Sequence, residues 1–126
     1  MAKEPSPEQL EALTQRPQDA PVVMVNLLCL EKGEGAGEYG QYAKKIAPIF
    51  QAIGARILYS GTCDSVVVGD VDEKFDAIAL VEYPSIRSFL GMLNSDEYKA
   101  IHPHRDRGLE SQWLLASTPA TGPSPR

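Results

Sequence analysis

Both histidines of the chain lie in one short stretch, "YKAIHPHRDRG", which spans residues 98 to 108. His102 and His104 are followed there by Arg105 and Arg107. An imidazole exchanges protons near neutral pH, and a guanidinium holds carboxylates or developing negative charge. The stretch therefore points to three possibilities: a proton-transfer site, a metal site, or a helix held to its neighbours by hydrogen bonds and ion pairs.

For proton transfer, the position of Pro103 matters most. Proline restricts the residue before it and suits a first helical turn, so a short helix is expected to end near Ile101 and another to begin at Pro103. His104 would then lie at a positive helix start, which favours the neutral ring of a general base. Arg105 would stabilise an anionic substrate or enolate, and His102 would contact the ligand. In the alternative, His104 and Arg105 only join the helix to the sheet edge.

A metal site at the histidines would need further ligands. The sequence contains no second cluster of histidine or cysteine to supply them. Cys29 and Cys63 lack the paired spacing of a zinc or redox motif, so both are predicted to be reduced and structural. We therefore predict no cofactor and no metal ligand, while haem or metal binding stays an alternative.

Other polar residues lie where a pocket could use them. Asn26 interrupts the apolar run "VVMVNLLCL", so its amide would orient a ligand carbonyl or bond to neighbouring backbone. Glu82 is a possible general acid or base if its strand position faces a cavity, and otherwise a solvated carboxylate. The remaining candidate ligand contacts, which could equally be core aromatics or a surface ion-pair partner, are Tyr42, Tyr59 and Arg56.

Hydrophobic periodicity predicts the elements that position these residues. The run "VVMVNLLCL" is a buried strand, and an apolar stripe ending at Gly54 marks a helix that Pro48 should kink or divide. "ARILYSG", "VVVGD" and "FDAIALVEY" read as strand material in a hairpin region. Ser85 caps a further helix, a short turn of helix follows from Asp96 to Ile101, and "ESQWLLAS" is the last strand.

This order of strand, helix, strand, strand, helix, strand is the split βαβ arrangement of an α+β, ferredoxin-like βαββαβ fold. Right-handed crossovers put both helices on one face of the antiparallel sheet, with the usual strand order 4-1-3-2. The first strand is apolar on both faces, so the outer face needs a cover. Burying about 500 Å² there contributes roughly 12 kcal/mol before association costs. We therefore predict a homodimer, with its two sheets packed face to face around a barrel-like interior.

Length and composition fit one globular domain of 126 residues, 43% of them hydrophobic and 23% charged. Residues 1–21 are expected to form an N-terminal helical extension, with the cap Ser6 before Pro7, and residues 118–126, rich in proline, glycine and serine, are expected to form a disordered tail. A net charge of −5 argues against a nucleic-acid partner. Without a signal or membrane-spanning run, a cytoplasmic protein with no membrane partner is expected.

From about Val22 to Ala116 the sequence resembles the bacterial domain-of-unknown-function family 1330, in the dimeric α/β barrel superfamily. The motifs that carry the resemblance are "VVMVNLL", "IGARILYSG", "AIALVEYPSIRSFLGML" and "SDEYKAIHPHRDRGLE", in this order. The resemblance implies the fold of residues 22–117, the dimer, and a small cavity between sheet and helices. It implies no single reaction, because the superfamily includes cofactor-free monooxygenases, isomerases, cyclases, haem-binding enzymes and non-catalytic binders.

Two functions therefore remain open. The first is a cofactor-independent enzyme of the isomerase, cyclase or monooxygenase type, with His104 as the base in a cavity and Arg105 or Asn26 stabilising negative charge. The second is a non-catalytic homodimer that binds a small molecule in the same cavity.

Overall fold

The computed structural model describes residues 3–73 and 75–120. Its elements in chain order are helix α1 (Pro7–Thr14), strand β1 (Val22–Leu30), helix α2 (Glu38–Ile53), strand β2 (Arg56–Thr62), a 3-10 turn (Val71–Glu73), strand β3 (Ala77–Tyr83), helices α3 (Ile86–Leu93) and α4 (Asp96–Gly108), and strand β4 (Leu109–Ser117). The predicted α+β, ferredoxin-like βαββαβ fold is confirmed, with α1 added before it.

The four strands form one antiparallel sheet in the order β2-β3-β1-β4. This is the predicted order 4-1-3-2 read from the other edge. Met24 lies near the centre, opposite Val81 on β3 and Ala116 on β4. No disulfide joins Cys29 and Cys63, because β1 and β2 are separated by β3.

The hydrophobic core lies against one face of the sheet. Val22, Met24 and Leu28 of β1 are buried in alternation, as expected for a strand with one face packed on helices. The helices contribute stripes at three- and four-residue spacing: Tyr42, Ile46 and Phe50 from α2, and Ile86, Phe89 and Met92 from α3. The helices therefore pack on the inner face, while the outer face has no helix of the described chain to cover it.

Helix ends follow the sequence signals closely. Ser6 and Gln9 form the capping box of α1, and Ser85 caps α3 by accepting a hydrogen bond from the Ser88 amide. Gly54 ends α2 with a left-handed φ of 79°, a conformation that glycine adopts without strain. Pro48 lies inside α2 on its exposed side and does not divide the helix.

The predicted helix boundary at Pro103 is wrong, because α4 continues through this residue to Gly108. Proline removes the backbone bond to the carbonyl four residues earlier, which belongs to Lys99. Both residues lie on the exposed side of the helix, where water can satisfy that carbonyl. Burial of Tyr98 and Arg105 on the opposite side holds the helix on both sides of the proline.

The predicted strand at "VVVGD" is also wrong. Residues 66–70 form a loop in which Val67 and Val68 are 90% and 93% exposed. The ladder between β2 and β3 ends at Thr62 and Ala77, and the carbonyl of Asp76 accepts the bond from the Cys63 amide. The chain therefore leaves the sheet at Cys63.

Within the part of the chain that the structure describes, no helix is both long and apolar enough to cross a bilayer. Of the predicted tail, residues 121–126 lie outside the described residues.

Candidate functional site

A cleft of about 1030 Å³ opens on the helix-covered side of the sheet, between α1, α3, α4 and the edge strand β4. Apolar side chains form most of its wall: Leu10, Leu13, Met24, Phe89, Leu90, Met92, Leu93, Leu114 and Ala116. Polar side chains gather where α4 meets β4: Glu4, Asn26, His102, Arg105 and Gln112. The cleft thus has a largely apolar body and a polar cluster at this end, with Lys3, Gln9, Asn94 and Lys99 adding further polar groups to its lining, a composition common in small-molecule sites.

The polar end is built around Arg105, which is buried although it carries a charge. Its Nη2 donates to Gln112 Oε1 and to the carbonyl of Lys3, the latter at 2.7 Å. Gln112 Nε2 in turn donates to Asn26 Oδ1 at 3.3 Å. Asn26 Nδ2 lies 3.3 Å from the carbonyls of Met24 and Ala79. A hydrogen-bonded chain therefore runs from the guanidinium to the middle of the sheet and fixes the orientation of each side chain.

Glu4 supplies the negative charge at this end of the cleft. Its Oε2 accepts from Arg105 Nη1 at 2.9 Å and lies 2.8 Å from His102 Nε2. One carboxylate oxygen thus lies between two nitrogen groups of α4, one turn apart on the helix. Arg105 and His102 together can bind a carboxylate group, and that carboxylate in turn orients the imidazole ring of His102.

Three buried tyrosines extend the polar surface along α2, α4 and β3. Tyr42 donates from its hydroxyl to that of Tyr98 at 3.5 Å, and Tyr83 lines the same cleft. Burial raises the pKa of both Tyr42 and Tyr83 far above the usual value of 10.0, and raises the pKa of Tyr39 beside them to about 12. Tyr42 and Tyr83 therefore remain neutral phenols at physiological pH, able to donate hydrogen bonds but not to act as phenolate bases.

His104 lies outside the residues that line the cleft. The expectation that it sits at a helix start is wrong, because it lies in the last turns of α4, where free carbonyls give a negative potential. Its Nδ1 is 2.8 Å from Glu38 Oε1, which also accepts from Arg107 Nη2 at 3.1 Å. These contacts join α4 to α2 and turn the His104 ring away from the cleft.

Glu38 should make stability depend on pH. The hydrogen bond with His104, and then that with Arg107, hold its pKa below the ordinary 4.5. A lowered folded-state pKa gives a stabilisation that is complete above 4.5 and is lost as the pH falls through the folded-state value. We expect Glu38→Gln to lower the melting temperature at neutral pH, and the difference from the unmodified protein to shrink on acidification below 4.5.

Thermal melts across this range provide the measurement. Glu34→Gln, at an exposed carboxylate in the preceding loop, is the matched control and should melt like the unmodified protein throughout. A Glu38→Gln difference that stays constant from neutral to acid pH would contradict the assignment.

Three other predicted site residues lie on the outer face of the sheet, away from the cleft. Arg56 and Glu82 are opposite each other on β2 and β3, and Arg56 Nε donates to Glu82 Oε1 at 2.8 Å. Tyr59 lies on the same face and is largely exposed. The structure therefore brings Asn26, Tyr42, His102 and Arg105 together in the cleft, and places Arg56, Tyr59 and Glu82 elsewhere.

Several residues at the cleft were not predicted. Gln112 occupies a helix-facing position of β4 in alternation with Leu114 and Ala116, so a polar residue on an otherwise apolar face was a usable signal. Tyr98 lies seven residues before Arg105, on the same side of α4, so helical periodicity could have indicated it. Glu4 precedes α1 in sequence, and no local pattern links it to a helix nearly one hundred residues away.

Over residues 3–73 and 75–120, no group of three or more His, Cys, Asp or Glu side chains is placed to hold a metal ion.

Comparison with known families and structures gives three results. The family described as "Domain of unknown function (DUF1330)" matches residues 32–118. Among curated proteins, no match to the chain was found. Among solved structures, a protein of unknown function from Rhodopseudomonas palustris, RPA0582, is 25% identical, with a TM-score of 0.85 over 94% of this chain and 96% of that one.

More distant structures share the fold. A hydroxynitrile lyase from Passiflora edulis is 14% identical, with a TM-score of 0.63 over 83% of this chain and 99% of the lyase. A dimeric protein of unknown function with a ferredoxin-like fold from Bacteroides fragilis is 12% identical, with a TM-score of 0.50 over 80% of this chain and 98% of that one. At such identities the likeness concerns the fold alone.

Proposed function

Since this chain belongs to the family of the domain of unknown function DUF1330, we propose from its cleft that it is a homodimeric small-molecule-binding protein. The ligand has an apolar body, which lies between α1, α3 and β4, and a polar head, which lies at Arg105, Gln112 and Asn26. The observation that carries the proposal is the buried Arg105 at the end of an apolar cleft of about 1030 Å³. Glu4 is the counter-ion of Arg105 within the chain, and a charged group at the end of an apolar cleft is the kind of group that orients the polar head of a small-molecule ligand.

The proposed dimer rests on the outer face of the sheet. Trp113, Tyr59 and Leu115 are 62%, 56% and 43% exposed. Half-buried apolar residues continue the same face: Val23, Val25, Leu27, Ile78 and Leu80. A continuous apolar surface of this kind marks an interface on a soluble protein. A second copy of the chain fits best, because the two sheets would bury the same face in a two-fold contact, and the Bacteroides fragilis neighbour is described as dimeric.

Proton-transfer catalysis is the second candidate function. It is favoured by His102, whose ring lines the cleft with Nε2 bonded to Glu4, since a carboxylate that orients an imidazole is a common feature of general bases. The substrate would carry a carbonyl group that the tyrosines or Arg105 polarise. Incorporation of deuterium beside the carbonyl of a long-chain methyl ketone, followed by NMR, separates the two functions: an enzyme accelerates the exchange and a binder leaves it unchanged.

The binding function is tested by calorimetric titration with decanol, a neutral molecule with an apolar chain. We expect saturable binding with a negative heat-capacity change, because apolar surface is buried. Leu114→Trp fills the cleft at its partly exposed β4 wall and should weaken binding about tenfold. Val71→Trp, an exposed site outside the cleft lining, is the control and should bind as before. Equal binding by both variants would contradict the proposed site.

A further inference from the structure

The carboxylate of Glu4 is held unusually well for a side chain at the surface. The side chain of Glu4 is 53% exposed, whereas that of Arg105 is 10% exposed. Its Oε2 nevertheless accepts a hydrogen bond from Arg105 Nη1 at 2.9 Å and lies 2.8 Å from His102 Nε2. A buried receptor on α4 thus holds a carboxylate that belongs to a largely exposed segment.

That segment, residues 3–6, is called the N-terminal strap here. It leads into α1, and none of the eight residues of that helix, all of them described, is buried. Besides Glu4, the strap is held by the Lys3 carbonyl on Arg105 and by the Lys3 ammonium on Asp106, a half-exposed pair 3.5 Å apart. None of residues 3–6 is buried, so releasing the strap while α1 stays on the cleft exposes little apolar surface and breaks mainly part-buried polar contacts.

The receptor itself does not depend on the strap for its shape. Arg105 is also hydrogen-bonded to Gln112, and Gln112 to Asn26, and neither of these bonds involves the strap. A buried guanidinium without a counter-ion is costly, so a group that replaces Glu4 should carry negative charge. The apolar wall of the cleft begins beside this position and supplies the surface for a hydrocarbon tail.

We propose that Glu4 occupies the position of a ligand carboxylate, and that the ligand is an apolar carboxylic acid whose head group displaces Glu4 and releases the N-terminal strap. This inference rests on the proposed function, since it assigns the head group of the molecule that the cleft binds. The exchange leaves the charge at Arg105 balanced, because one carboxylate replaces another. The strap therefore acts as a built-in competitor: Glu4 occupies the charged end of the cleft until the carboxylate of a ligand displaces it.

The test compares decanoate with decanol, which share the same chain, on the full-length protein and two variants. Glu4→Ala removes the competing carboxylate and should strengthen decanoate binding about tenfold, since a hydrogen-bonded ion pair no longer has to be broken. The same variant should change decanol binding much less, because the alcohol does not compete with a carboxylate for Arg105. Glu11→Ala, at an exposed acid on α1, should leave both affinities unchanged. Amide hydrogen exchange over the strap and the first turn of α1, residues 3–10, should rise when decanoate, but not decanol, binds to the unmodified protein.

The outcomes separate this inference from the proposed function. If neither molecule binds, the cleft is not a binding site and both proposals fail. If both bind, but Glu4→Ala alters the two affinities equally or decanoate leaves the strap protected, the cleft binds ligands and the assignment of Glu4 as a built-in competitor is overturned.

Discussion

Replacing Trp113 with glutamate is expected to convert the proposed dimer into monomers at micromolar concentration. Trp113 lies on the outer face of the sheet opposite Leu27, and it is 62% exposed in the single chain. An interface tryptophan typically contributes about 2 kcal/mol or more, which is roughly thirtyfold in Kd. Each dimer would lose two such side chains and would have to bury two carboxylates without partners, so the combined effect is larger.

Sedimentation velocity measures this change directly. The side chain is largely exposed in each chain, so the variant should keep its fold, which circular dichroism verifies. Val67→Glu places the same charge on an apolar residue of the loop after β2, which is off the sheet face, and should leave the dimer intact. Monomers of the unmodified protein, or a Trp113→Glu variant that remains dimeric, would contradict the proposed interface.

Replacing Arg105 with methionine should produce the second large effect, on both stability and binding. The apolar stem keeps most of its packing, but the Oε1 of the buried Gln112 loses its donor and Glu4 loses its strongest partner. Leaving one buried polar group unsatisfied costs about 1–3 kcal/mol. Decanoate binding should fall at least about tenfold, because the charged hydrogen bond to its carboxylate is gone, while the binding of decanol, whose hydroxyl loses only the hydrogen bond of a neutral acceptor, should weaken much less.

Arg107 provides the matched control on the same helix, two residues further on. Its side chain is 55% exposed and bonds to Glu38, so Arg107→Met should cost no more than about 1 kcal/mol and leave both affinities unchanged. Urea unfolding and calorimetric titration supply the measurements. Equal destabilisation by the two variants would contradict the assignment of Arg105 as a buried residue whose hydrogen bonds stabilise the fold.

Much of the fold could be predicted because its signals are local. The alternation in "VVMVNLLCL", the caps at Ser6 and Ser85 and the stop at Gly54 act within a few residues, and the elements formed where they indicate. The two errors have a common cause. In both places tertiary packing outweighs a local preference. At Pro103, burial on the opposite side of α4 keeps the helix continuous despite the proline. At Val66 to Val68, the β2–β3 ladder has already ended, so residues with high strand propensity have no partner strand.

The site was less predictable because its partners are distant in sequence. Asn26, His102 and Arg105 were identifiable from their chemistry, and the structure brings all three to one cleft. A continuous α4 turns His104 away from that cleft and towards Glu38, which no pattern around His104 could indicate. The contact between Glu4 and Arg105 depends on how the N-terminal strap crosses the helix. Such a contact depends on tertiary packing and has no local signature.

The central claim is that a small apolar molecule binds in the cleft between α1, α3, α4 and β4. Amide chemical shifts of isotope-labelled protein titrated with decanol test it most directly, because each residue reports its own surroundings. We expect saturable shifts at Asn26, along α3, from Tyr98 to Arg105 and from Gln112 to Ala116, with α2 residues away from the cleft and β2 unaffected. Shifts confined to the outer face of the sheet, or the absence of any saturable shift, would contradict it.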